Sequence, residues 1–280
     1  MSSPRESQAR PSPIEAGDFI VTKEHRRFVE FCDACRRYRY IGLCYGPPGV
    51  GKTLSARRYA RWDLLEPILR TQRTSLAPRN SPVVITCRSV IYTPTVTITP
   101  KQLAADLQGL CLDLELAAAL ALDPEGDHLS VRPREGWTEL ILIDEADRLK
   151  TVTLEQLRDL YDRGQFAVVL IGMPGLEKRL ARYPQLYSRV GFVHQFRPLS
   201  TEEVYFVLEQ KLQQLGLTFS PEDFTDTEAV AAIIRITSGN FRLLQRLLAQ
   251  IERVLQINQM HLVTKEVVET ARASLVIGIV

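Results

Sequence analysis

The chain has 280 residues, with 35 Lys and Arg against 33 Asp and Glu, a formal net charge of +2. Hydrophobic residues make up 45% and charged residues 24%, the balance of an ordinary globular protein, which excludes a mostly disordered, collagen-like or low-complexity chain. A charge so near zero gives no bulk attraction to nucleic acid or to a membrane surface, so any DNA binding must rest on local placement of charge. No window reaches about 18 uninterrupted apolar residues, so no transmembrane helix is expected. The start, Met1 to Glu6, lacks the apolar stretch of a secretory signal, and a cytoplasmic protein without a membrane partner is the expectation. Five cysteines, odd in number and unevenly spaced, read as free thiols. Cys32-x-x-Cys35 is half of a zinc or redox pattern without a second half, and the plainer reading is two helix side chains beside a core.

Residues 1–17 are rich in Ser, Pro, Arg and Glu and read as a flexible arm. Apolar residues among charges over 19–38 predict a helix. Tyr40–Tyr45 is a short apolar run that predicts a buried strand, followed by a glycine-rich stretch and a helix to about Trp62. Residues 66–82 read as a loop. Ser89–Thr93 is the second strand candidate, with Val83–Cys87 competing for the role. Pro100 starts a helix with Leu103, Leu107, Leu110, Cys111 and Leu114 on one face. Residues 123–136 read as a surface connection. Leu140–Ile143 is a buried strand ending at Asp144-Glu145, then a helix over about 153–163 closes at Gly164. Phe166–Ile171 is a further strand, with a helix to about 182 after it, and Phe192–Phe196 is the last. Strands separated by helices imply a mostly parallel sheet between helices. From Ser200 the pattern is helical only: a capping box at Ser200 and Glu203, a short turn or helix beginning at Pro221, and helices over about 226–236, 240–257 and 264–275. The expected division is an α/β core over 18–199 and a small all-α lid over 200–280.

Gly46-Pro47-Pro48-Gly49-Val50-Gly51-Lys52-Thr53 fits G-x-x-x-x-G-K-[ST] in full, with a strand before it and a helix after. Glycines let the backbone wrap a polyphosphate with N–H groups pointing inward. Lys52 places a cation near the β- and γ-phosphates, and the Thr53 hydroxyl suits Mg2+. The strand at 140–143 delivers two carboxylates to its C-terminal end, where doubly wound sheets bind ligands. Asp144 is placed to hold the Mg2+ shell and Glu145 to polarise the water attacking a γ-phosphate. Asp147 either extends this acidic cluster or caps a helix. Arg189, just before the last strand, can face the nucleotide of a neighbouring subunit, with Arg179 and Arg182 as competitors. Arg242, in Ser238-Gly239-Asn240-Phe241-Arg242, can reach back to the γ-phosphate from the start of a helix.

Together the GPPGVGKT loop, the LILIDEAD strand, Arg189 and the SGNFR helix start resemble AAA+ ATPases over about residues 40–250. Ile143 to Lys150, Val168 to Gly172 and the compact size are similar to transposition regulators of the TnsC, TniB and MuB type. One departure stands out: where these ATPases usually place a polar residue after the fourth strand, this chain has Met173, which implies slow hydrolysis or a substitute residue. The resemblance implies ATP and Mg2+ as cofactors and head-to-tail assembly as a ring or filament on duplex DNA. It also implies recruitment of a transposase, with a target-selection protein as a further partner, and disassembly on hydrolysis. Other AAA+ classes, of the ExeA, helicase-loader or clamp-loader sort, and a nucleotide-gated module with negligible turnover are the competing readings.

Charge is uneven. Residues 1–61 carry twelve basic and six acidic residues, +6, and the remainder sums to −4. A DNA contact is expected at Thr97 to Lys101, where the resemblance places DNA-tracking residues. There the Thr99 hydroxyl, a helix N-terminus and Lys101 all suit phosphate oxygens. Lys150 is a further candidate. Such contacts predict salt-sensitive binding with weak sequence preference.

Overall fold

The computed structural model describes residues 19–72, 81–123, 132–214 and 224–275. The expected arm over 1–17, the short turn or helix at Pro221, the tail after Leu275, and the stretches 73–80 and 124–131 of the two expected connections lie outside the described residues.

Helix α1 (Lys23–Tyr38) starts at Thr22, whose hydroxyl accepts the His25 N–H at 3.1 Å, and ends at Arg39 in the left-handed region, φ 53°. Strand β1 (Ile41–Tyr45) leads through the glycine-rich loop into α2 (Lys52–Tyr59). Two expectations are corrected next. Residues 66–72 belong to α3 (Trp62–Gln72), because Trp62, Leu65 and Leu69 fall on one buried helix face, and this burial outweighs the N–H that Pro67 cannot donate. The competing strand at 83–87 is α4 (Pro82–Thr86): Pro82 is preset for a first helical position, and the Cys87 N–H closes onto Val83 and Val84 carbonyls. The second strand is β2 (Ser89–Tyr92), buried throughout.

Helix α5 (Pro100–Leu122) is capped by Thr99, whose Oγ1 accepts the Gln102 N–H at 3.2 Å, and it continues past the expected face through buried Ala117, Ala118 and Ala121. Strand β3 (Leu140–Ile143) is followed by a 3-10 turn, Ala146–Arg148, and by α6 (Thr151–Arg163), closed at Gly164. Strand β4 (Ala167–Gly172) comes next. The helix expected to about 182 is α7 (Leu176–Leu180), and an additional short helix, α8 (Pro184–Tyr187), follows it because Pro184 is preset for a first helical position. Strand β5 (Val190–Gln195) ends the sheet. Then follow α9 (Thr201–Gln214), α10 (Phe224–Thr237), α11 (Phe241–Asn258) and α12 (Lys265–Ala273).

The five strands form one parallel sheet in the order β2-β3-β4-β1-β5. β3 and β4 are buried at every residue, as strands covered on both faces must be. Cys32 and Cys35 lie in the layer between α1 and the sheet, both fully buried. A side chain at Gly42 in β1 would come within 2.4 Å of the Cys35 sulfur, so that glycine is needed for close approach. Burial pushes the Cys35 thiol up to about 12. These two cysteines are core side chains in this fold.

Buried apolar residues form two clusters. One surrounds the sheet and ends with Phe196; the other begins with Leu199 and is built from α9 to α12. At the junction the predicted capping box is present in full: the Glu203 carboxylate accepts the Ser200 N–H at 3.0 Å and the Ser200 hydroxyl accepts the Glu203 N–H at 3.3 Å. The other Glu203 oxygen accepts the Lys23 N–H at 2.9 Å, which joins the start of α1 to the start of α9. Among the described residues no helix is long and apolar enough to cross a membrane.

Candidate nucleotide site

Parallel register brings the C-terminal ends of β1, β3 and β4 to one sheet edge. Tyr45 stands opposite Gly172, and Ile143 opposite Leu170. The loop after β1 is drawn across this edge, where the Gly46 N–H donates to the Gly172 carbonyl at 3.3 Å. Any Cβ at Gly46 would lie 2.2 Å from the Phe196 carbonyl oxygen, so only glycine lets the loop pass there. Gly49 (φ 80°) and Gly51 (φ 106°) turn the backbone through the left-handed region. Lys52 Nζ lies in the mouth of the loop and donates to the Gly46 carbonyl at 2.6 Å and the Pro47 carbonyl at 2.7 Å. Burial lowers its pKa, while Cys44, Asp144 and Asp147 act in the other direction and Arg242 adds to the lowering. Thr53 is exposed on the first turn of α2.

Across the edge, Asp144 is buried, 6% exposed, and its Oδ1 accepts the Glu145 N–H at 2.9 Å. Glu145 is exposed and holds φ 52°, a conformation that non-glycine residues seldom adopt. Its carboxylate pairs with Arg148, whose other nitrogen donates to the Pro94 carbonyl at 2.8 Å. Asp147 extends the acidic cluster, its charge acting on Lys52 alongside that of Asp144, and it is not a helix cap. Its Oδ2 accepts the Met173 N–H at 2.7 Å and so ties the end of β3 to the end of β4. The Met173 side chain is 40% exposed. Arg179 turns inward and donates to the Asp147 and Ala146 carbonyls at 2.8 and 3.0 Å, supporting the acidic turn from below.

The second cluster reaches the loop at the turn before α11. Ser238 (φ 47°) and Gly239 (φ 73°) make a tight turn, and Asn240 caps α11, accepting the Leu243 N–H at 3.1 Å. The Asn240 amide donates to the Pro48 carbonyl at 2.9 Å, and the Arg242 main-chain N–H donates to the Gly49 carbonyl at 2.9 Å. Arg242 is thus set directly against the loop, with its side chain exposed. Asn240 was visible in the sequence only as a helix-capping residue type; its second bond, to Pro48, depends on tertiary contact and has no local signal.

Beside the loop lies an apolar cleft that no motif announces. Phe19, Ile20, His25, Val50, Phe196 and Phe241 line it, from four separate parts of the chain. Burial, with the charge of Arg58, pushes His25 down to about 4. An unfolded histidine takes its proton near pH 6.5, so the folded chain loses stability as pH falls from about 6.5 towards 4. The melting temperature is expected to drop across that window, and His25→Gln to make the drop shallower. It will not vanish, because burial shifts His194 in the same direction. An unchanged slope in the variant would count against this origin.

Arg189 does not join this edge. The Ile41 N–H donates to its carbonyl at 3.1 Å, which places it at the start of β1 and β5, the opposite end of the strands from the loop. The three DNA candidates do share the loop's edge. Thr99 caps α5 after β2, Lys101 is exposed on its first turn, and Lys150 is exposed at the start of α6 after the neighbouring β3.

Fold and loop together define a P-loop AAA+ architecture. The same fold occurs in the RuvB Holliday junction branch migration motor of Thermotoga maritima, at TM-score 0.58 and 17% identity, over 95% of this chain and 73% of that one. The family model described as AAA domain matches residues 35–180, and the chain belongs to that family. A Staphylococcus aureus protein called "Potential ATP-binding protein" is 47% identical over 267 residues, 94% of this chain and 98% of its own length. The Mu-like prophage FluMu DNA transposition protein B of Haemophilus influenzae is 23% identical over 184 residues, 63% of this chain and 55% of that protein. General secretion pathway protein A of Aeromonas hydrophila is 30% identical over 169 residues, 55% of this chain but only 30% of that protein.

Proposed function

We propose that the protein is an ATP-dependent regulator of DNA transposition, which assembles on target duplex DNA and is disassembled by ATP hydrolysis. The observation that carries the nucleotide part is the clamp of Asn240 and Arg242 on Pro48 and Gly49, which sets a helical segment directly on the phosphate-binding loop. On this reading residues 18–199 are the nucleotide-binding core and 200–280 the lid. The loop N–H groups and Lys52 hold the phosphates, and the apolar cleft takes the base. The residues fit a magnesium ion: Thr53 offers a hydroxyl and the buried Asp144 a carboxylate to which, among the described residues, no basic side chain is bonded. When bound, the ion neutralises charge on the phosphate oxygens. Glu145 accepts the proton of the water that attacks the γ-phosphorus, as the bond to the ADP oxygen breaks. Arg242 reads the γ-phosphate from the lid, and Arg189 serves the site of the next subunit. Its position at the far end of the strands supports action in trans, since it cannot reach its own loop.

The transposition role rests on the likeness to the FluMu protein, whose name gives that process. Thr99, Lys101 and Lys150 supply a DNA-facing edge beside the nucleotide. The decisive experiment mixes protein, duplex DNA and ATP, ADP or a non-hydrolysable analogue, then images the products and measures phosphate release. ATP-dependent rings or filaments on DNA are expected; no association in any nucleotide state would sink the proposal. Lys101→Ala is expected to weaken binding to all duplex sequences alike and to lower the salt dependence by about one counterion. Equal binding by wild type and variant at several salt concentrations would remove Lys101 from the contact. Two other readings each have an observation in their favour. The match to General secretion pathway protein A favours a secretion-associated ATPase. The apolar Met173 beside the acidic turn favours slow turnover, as in a nucleotide-gated switch.

A further inference from the structure

Arg189 is tightly committed within its own chain. Its Nε and Nη2 donate to the two oxygens of Asp162 at 2.5 and 2.8 Å. Its Nη1 donates to the Gln185 carbonyl and lies 3.4 Å from the Ser188 hydroxyl. This is the fork-to-fork arrangement that arginine makes with a carboxylate, and the same fork is what it would present to a phosphate. One guanidinium cannot serve both at once. Asp162 sits near the end of α6, and Arg158 on that helix shares it, donating to Oδ2 at 2.8 Å while also bonding Glu155 at 2.9 Å. The Arg189 and Asp162 side chains are 31% and 30% exposed, so water reaches the pair and exchange is open.

We propose that Asp162 is a positioning residue that latches Arg189 in cis, so that the neighbouring subunit's site is completed only when that subunit's phosphates displace the Asp162 carboxylate. The inference rests on the reading of Arg189 as the residue acting in trans. The latch keeps an isolated chain from offering its guanidinium to stray anions and makes turnover depend on assembly. It also fixes which group must be displaced: the polyphosphate of the next subunit, with more charge than one carboxylate, is the competitor able to take the fork. The Arg189 contact holds the Asp162 carboxyl below the usual carboxylate range, with Arg158 adding to it, so the carboxylate is ionised and competing at neutral pH.

The test follows ATP turnover as a function of protein concentration, with saturating ATP and duplex DNA. Asp162→Asn keeps the shape but removes the charge. It is expected to lower the protein concentration giving half-maximal turnover by about two- to fivefold, the scale of a partly exposed ion pair, with little change in the plateau. In an Arg189→Ala background, where turnover is expected to be lost, the same substitution should bring no recovery, since a latch has no effect without its arginine. Arg158→Gln leaves Asp162 wholly to Arg189 and should shift the curve the opposite way, which keeps the test intact if Asp162→Asn folds poorly. If Asp162→Asn melts like wild type and leaves the curve in place while Arg189→Ala still abolishes turnover, the latch is wrong and the trans reading stands. If Arg189→Ala turns over normally, the trans reading fails and the latch with it.

Discussion

Lys52→Ala is expected to lower ATP turnover by about 100- to 1000-fold and to weaken nucleotide binding with it. The reason is geometric as well as electrostatic. Lys52 Nζ sits between the Gly46 and Pro47 carbonyls, at 2.6 and 2.7 Å, in the middle of the loop that curls around it. Among the described residues it is the one side-chain cation that the loop's own backbone orients. The loop does not need it to keep its shape. Gly46 is fixed by Gly172, and Pro48 and Gly49 by Asn240 and Arg242. The variant should therefore melt at nearly the wild-type temperature, and the loss should be one of affinity and rate alone. Lys52→Arg is expected not to restore it, since a planar fork cannot occupy a space shaped for a point charge. Phosphate release together with fluorescence binding of a labelled nucleotide checks both effects, and binding at wild-type strength in the alanine variant would remove the loop from its proposed role.

The second large effect is expected from Glu145→Gln. Nucleotide and DNA binding should persist, while turnover falls by about 100- to 10,000-fold, because the amide cannot take a proton from the attacking water. Gln is similar to Glu in size, and both meet the same strain at φ 52°, so the turn should hold. The variant loses its charge pairing with Arg148, but that pair is partly exposed and contributes little to stability. Assemblies on DNA made with ATP should therefore outlast those of the wild type. Imaging them against time, alongside phosphate release, separates a trapped state from a dead one; unchanged turnover would take Glu145 out of the chemistry.

The glycine loop, Asp144 and Glu145 were legible in the sequence because each is written in consecutive residues, with a buried strand just before it. The helices from α9 to α12 were legible from capping residues and apolar spacing, as the Ser200–Glu203 box shows. What the sequence hid depends on tertiary contact. Pro67 pointed to a loop, yet burial of Leu65 and Leu69 keeps it inside a helix. The β-branched run Val83 to Thr86 pointed to a strand, yet Pro82 starts a helix there. Asp147 looked like a solvent-facing acid and instead joins two strands through the Met173 N–H. The apolar cleft draws on Phe19, Val50, Phe196 and Phe241, and no periodicity links positions so far apart.

The turn before α11 has a consequence for how this chain can vary. Leu199 donates its N–H to the Gly239 carbonyl at 2.9 Å, and a Cβ at Gly239 would stand 2.2 Å from the Leu199 carbonyl oxygen. After β5 ends at Gln195 the chain passes residue 199 and returns to the same point forty residues later, with the two passes in backbone contact. The excursion between them, α9 and α10, is closed at its base like a loop drawn tight by a knot. Changes in length far out on that excursion are expected to leave the Leu199–Gly239 contact in place, and with it the clamp on Pro48 and Gly49. On the reading proposed above, the clamp on the phosphate loop is held from the base of this excursion, at the Leu199–Gly239 contact, rather than from its outer end.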